Sequence, residues 1–249
     1  MRSKTDEKNT CPACIETQAK IAPFKGSETN RYASLEAVSS VTTGPLSQAD
    51  ICGNKYLQLI VDAGTGWTTG EAMQTKASAS DVILRALARL QLACETKVKR
   101  LHTDGAQEQY NDKLKKFLEE QGTIKSTTAP HSSSSNAFVE RRMGIVFAAA
   151  RAALKAAPAP LDHQRYWSFS ALDAIDKANF LPLTRNGSFM PSPHTALKLH
   201  GHSVDEKDGP NHFLPYGQPG WIVNTARHKK KLEDRSTPAN YLRCTNKEN

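Results

Sequence analysis

Leu101-His102-Thr103-Asp104-Gly105-Ala106-Gln107-Glu108 opens, and Asn136-Ala137-Phe138-Val139-Glu140-Arg141-Arg142 closes, the stretch whose reading decides the fold. Thirty-five residues separate Asp104 from Glu140. A short apolar and basic run from Val98 predicts a strand that delivers Asp104 at its end. Asn111 to Gln121 carries Leu114, Phe117 and Leu118 at helical spacing with Lys113, Lys115 and Lys116 around them, so it is an amphipathic helix stopped by Gly122. Thr123 to Thr127 then reads as a short strand, and Ala129 to Ser135, with Pro130 and four consecutive serines, as a loop that cannot enter a core. A helix from Ala137 to Ala157, ended by Pro158-Ala159-Pro160, carries Glu140 in its first turn. Two carboxylates therefore sit on separate elements, one at a strand end and one on a helix.

The segments before this stretch have the same character. Leu35 to Thr43 is a strand followed by Gly44-Pro45, a turn signal. Tyr56 to Asp62 is a second strand and a third begins near Trp67, which predicts antiparallel hairpins. Asp81 to Leu92 places Val82, Ile83, Ala86, Leu87 and Leu90 on one helical stripe. The fold class from pattern alone is α/β. Trp167 to Phe180 is a further helix, and the aromatic residues of Tyr166-Trp167-Ser168-Phe169 are read as packing.

The chain has 249 residues, with 33 basic against 25 acidic side chains and a formal charge of +8. That length holds one ordinary domain with tails, or two small ones. The charge favours a polyanionic partner, and the densest cluster is His228-Lys229-Lys230-Lys231. No apolar run is long enough to span a membrane, and the first ten residues are charged, so no secretory signal is visible. An intracellular protein with reduced thiols is expected, Cys52, Cys94 and Cys244 being scattered. Cys11-Pro12-Ala13-Cys14 supplies two thiolates, half of what structural zinc requires. His131 beside Ser132 to Ser135 has no placed acid, so no hydrolytic triad is read there.

The words around the two acids resemble copia-type retrotransposon integrases, in which the first reads roughly S-D-N-G-G-E-F and the second N-G-V-A-E-R. The resemblance extends to Leu59-Ile60-Val61-Asp62 with Gly66-Trp67, and to Phe213-Leu214-Pro215-Tyr216-Gly217-Gln218-Pro219. It implies a ribonuclease H-like core at 35–157, a mixed five-stranded sheet flanked by helices. Residues 1–34 would be the remnant of a zinc module whose histidine half precedes Met1, and 158–249 a post-core helix with an irregular basic extension. The resemblance further implies polynucleotidyl transfer in which Asp104 and Glu140 hold magnesium or manganese, with Cys11 and Cys14 as a partial zinc site. Arg141, Arg142, Lys229, Lys230 and Lys231 would contact phosphates. Element and target DNA would be the partners, self-association the assembly, a Gag-Pol polyprotein the source and the nucleus the location.

The first acid of the family, written H-x-D-x-x-G-P, is the main departure. Anchored on Gly44-Pro45, the aspartate position holds Val41 and the histidine position Ser39. Ala106, Gln109, Ala137 and Met143 replace further residues of the pattern. A two-metal site depends on carboxylates that bridge both cations, so impaired catalysis is expected. Asp62, at the end of the second strand, is read as structural, and Asp50 as lying in a loop too mobile to preorganise a metal site. The alternative from another class is a non-catalytic nucleic-acid-binding protein, a decayed or reused element fragment.

Overall fold

The computed structural model describes residues 32–103, 110–127, 137–157, 164–185, 188–202, 213–223 and 236–243. Strand β1, Ala37–Thr43, lies at the centre of a five-stranded sheet ordered β3-β2-β1-β4-β5, with β2 Tyr56–Asp62, β3 Thr68–Met73, β4 Arg100–Thr103 and β5 Ile124–Thr127. β1, β2 and β3 run antiparallel, and β4 and β5 are parallel to β1. Among the described residues five α-helices follow: α1 Ala79–Cys94, α2 Asp112–Gln121, α3 Ala137–Ala156, α4 Trp167–Ala178 and α5 Pro193–Leu199. This is the ribonuclease H-like mixed sheet flanked by helices.

Alternation along the strands assigns the two faces. Val38 and Ile60 pack with Val82, Ile83, Leu87 of α1 and Leu114, Leu118 of α2. Val41, Leu57, Leu59 and Val61 pack with Val139, Met143, Val146 of α3 and Trp167, Ala171, Ile175 of α4. Because successive side chains of a strand point to opposite faces, each central strand feeds both cores, which is why β2 reads as one near-continuous apolar run. The core expected to close at Ala157 extends past it, since α4 packs on β3 and along α3.

Local chemistry sets the element ends. Leu35 has φ of 58°, a left-handed value that ends extended pairing, so β1 starts at Ala37 rather than at Leu35. Asn111 caps α2 by accepting from the Leu114 amide at 2.9 Å, and Gly122 closes it at φ 71°. Gly44, at φ 117°, would drive a Cβ to 2.6 Å from the Lys55 carbonyl oxygen, so the β1 exit admits only glycine.

Two expectations need correction. The extension after the expected post-core helix α4 is not irregular throughout: among the described residues it forms the hairpin β6 Leu183–Arg185 with β7 Ser188–Met190, α5, and the pair β8 Pro219–Val223 with β9 Ser236–Asn240. Strands of three to five residues carry too little alternation to be seen as a pattern. The loop bearing Asp50 is also well anchored. Asp50 is buried, accepts from the Cys52 amide at 2.8 Å, the Asn54 amide at 2.7 Å and Asn54 Nδ2 at 2.8 Å, and takes a short hydrogen bond from Ser168 Oγ on α4.

Candidate functional site

The parallel register of β1 and β4 pairs Ser39 with His102 and Ser40 with Thr103. Val41 follows directly on the last of these paired positions. Asp104 itself lies outside the described residues, as do Cys11, Cys14, Lys229, Lys230 and Lys231. The residues on either side of the 104–109 segment are nevertheless fixed. Thr103 Oγ1 and the Tyr110 hydroxyl share a hydrogen bond of 2.8 Å, and the Asn111 amide donates to Ser80 Oγ at 2.9 Å while its side chain donates to Asp81 Oδ1 at 3.0 Å. Burial pushes the Tyr110 phenol up, so it remains a neutral partner of Thr103.

Val41 is 9% exposed and belongs to the cluster formed with Val139 and Met143. These two residues flank Glu140 on α3, and Glu140 is exposed in the first turn. The position anchored on Gly44-Pro45 therefore faces the helix that carries the second acid, and there it presents a hydrocarbon. His102 stands on the same face, half-buried, with Nδ1 2.9 Å from Ser126 Oγ on β5. Strand alternation could have found it, because it sits two residues before Asp104.

Asp62 lies on the opposite face of the sheet from Val41. It pairs with Val38, whereas Leu59 is opposite Val41. The even spacing from Val38 to Ser40 puts Asp62 on the α1 side of the sheet, where its charge raises the Cys94 thiol further after burial, to about 11. Fully buried, it accepts from the amides of Leu35 at 3.1 Å, Gly64 at 3.3 Å and Thr65 at 3.0 Å, and from Thr65 Oγ1 at 2.6 Å. Burial raises its carboxyl above the ordinary 3.8, the hydrogen bonds offsetting only part of that. It closes the β2 to β3 turn.

The two arginines after Glu140 separate. Arg141 is exposed, as a phosphate contact requires. Arg142 is 5% exposed; its Nε donates to Thr68 Oγ1 at 2.9 Å and Nη2 to the Ala178 carbonyl at 3.3 Å. Its assignment to phosphate is corrected, because the helix turns it under β3 and α4. Desolvation lowers its guanidinium from the ordinary range.

No group of three or more His, Cys, Asp or Glu side chains among the described residues could hold a metal ion. Among the described residues position 41 offers no metal ligand, being a buried valine. No described helix is long and apolar enough to cross a membrane.

No protein-family profile and no curated protein sequence matches the chain. Solved structures do. A chain of the cryo-EM structure of the simian T-cell lymphotropic virus intasome in complex with PP2A regulatory subunit B56 gamma is 17% identical, covering 83% of this chain and 68% of that one at a TM-score of 0.50. The HTLV-2 integrase catalytic core domain in complex with magnesium, in its trimeric form, is 17% identical over 68% of this chain and 97% of that one at 0.48. The BIV integrase catalytic core domain is 17% identical over 67% and 95% at 0.45. At 17% identity the likeness to the intasome chain is one of fold alone.

Proposed function

We propose that the protein is an integrase-like DNA-binding protein of copia-type retroelement descent whose strand-transfer centre has lost its first carboxylate. The observation that carries this reading is Val41, buried against the helix of Glu140 one residue past the paired Ser40 and Thr103. Asp104 and Glu140 are the inherited acids, Arg141 with Lys229, Lys230 and Lys231 the phosphate contacts, and DNA ends and duplex targets the partners. A lone pair of acids holds a single magnesium weakly and leaves the reacting oxygens of an in-line displacement without their shared clamp. Binding persists where joining does not.

The test is a DNA-end joining assay beside a binding assay on the same preparation. Duplex binding without magnesium-dependent joining is the expected result. Efficient joining by the unaltered chain, abolished by Glu140→Gln, would overturn the loss of the centre, and failure to bind duplex DNA at low salt would overturn the reading altogether.

A further inference from the structure

Between α3, the β2 to β3 turn, the β6–β7 hairpin and α5 lies a cleft of about 170 Å3. Its walls include Phe138, Ile145, Leu183, Met190 and Leu199, and Arg142 stands among them. Gly66 forms one wall: its φ of 79° favours glycine, and a Cβ there would stand 2.4 Å from Leu183 Cδ1 and displace that side chain. The cleft is not the acid site. At about 100° per residue, Phe138, Arg141, Arg142 and Ile145 share one side of α3 and Glu140 falls on the other.

A buried guanidinium in such a place is unusual. Arginine has five N–H donors in a planar fork, and the partners of Arg142 among the described residues are a threonine hydroxyl and a carbonyl, both neutral. The acids of the neighbouring α4 are engaged elsewhere, Asp173 with Lys177 at 2.7 Å and Asp176 with Arg243 at 2.7 Å. A desolvated cation without a carboxylate costs free energy that an anionic ligand returns through charge-assisted bonds. The surrounding walls are mostly hydrocarbon, with Thr65, Thr184 and His200 among them, as in small-molecule sites with a few placed polar groups. An apolar cavity of about 150 Å3 accepts one benzene ring.

We infer that this cleft is a binding site for a small carboxylic acid carried on one aromatic ring or a short branched alkyl chain. The apolar body lies against Phe138, Ile145, Leu183 and Met190, and the carboxylate meets the free edge of Arg142, with Arg141 at the rim. Nothing in this depends on the DNA-binding reading: Arg141 at the rim is shared, but the cleft rests on Arg142, Phe138 and Ile145, and Glu140 falls on the other side of α3.

The probes are 3-phenylpropionate, 3-phenylpropanamide and 3-phenylpropylamine, titrated into the full chain by calorimetry and by saturation-transfer NMR. The acid binds with a Kd on the order of 1 mM or tighter, and the amide and amine about tenfold or more weakly. Arg142→Met removes the preference for the acid. Should that variant fold poorly, Ile145→Trp, at a rim position 49% exposed, fills the cleft while leaving the cores untouched and abolishes binding. Equal affinity for acid and amide, absence of binding by all three probes, or binding that survives Ile145→Trp would overturn the assignment.

Discussion

At the scale of the residue, Val41 and Asp62 are two strand positions with opposite demands. Val41→Asp places a carboxylate among Leu57, Leu59, Val139 and Met143, and an unpaired buried charge costs at least about 2 kcal/mol. Lower stability in chelator is therefore expected, recovered by magnesium, with the recovery lost when Glu140→Gln is added; thermal unfolding with and without the cation measures it. No magnesium response in the single variant would show that position 41 is not the inherited first-acid position. Asp62 gives a pH signature. Its folded pKa is raised above 3.8, so between that value and the raised one the folded chain holds more protons than the unfolded chain, and stability falls as pH rises. Asp62→Asn removes that part of the decline. Urea unfolding of both proteins across the acid range checks it: their stability difference is expected to shift toward the variant as pH rises, and a difference independent of pH would contradict the burial argument.

At the scale of the element, Tyr110 and Asn111 are tied to β4 and α1. Asn111 serves α2 as N-cap and also donates to Asp81 on α1. Asn111→Ala is expected to cost about 1 kcal/mol for the cap and to loosen the anchor next to Tyr110; guanidinium unfolding reads the first effect and amide exchange at Leu114 the second. Unchanged stability would show that the cap is replaced by solvent. The β1 to β2 connection behaves likewise. Asp50 is buried, which alone would raise its carboxyl, yet hydrogen bonds from Ser168, Asn54 and Cys52 together hold it below the ordinary 3.8. Its contribution is present above 3.8 and lost as pH falls through the lowered value. Ser168→Ala therefore destabilises the chain most at neutral pH and least in strong acid, and a penalty that grew with acidity would refute the sign.

At the scale of the whole molecule, the +8 formal charge bears on the proposed binding of DNA. Neutralising phosphates releases counterions, so log affinity falls linearly with log salt, at about −0.9 per phosphate on duplex DNA. Sequence-independent binding with such a slope is expected, made shallower by converting Lys229, Lys230 and Lys231 together to glutamine. Fluorescence anisotropy over a salt series measures it, and affinity indifferent to salt would mean that the charge serves only solubility.

The amino-acid sequence by itself determined the order of the central elements, because two-residue alternation in β1 and β2 and three-to-four spacing in α1 and α2 are local properties of the chain. It determined the capped ends at Asn111 and Gly122, and through Gly44-Pro45 it marked Val41 as the departure from the integrase pattern. Tertiary structure alone decided which face each side chain serves. The β1–β2 register, set by pairing between strands, puts Asp62 across from Val38 and on the α1 side. Helix packing decided that Arg142 goes under β3 while its neighbour Arg141 meets solvent, a difference of one residue that composition cannot express. Burial by distant elements also tied Asp50 to Ser168, 118 positions apart. The cleft around Arg142 arises where α3, a turn, a short hairpin and a two-turn helix converge, and no local signal marks such a meeting because its walls are set by long-range packing.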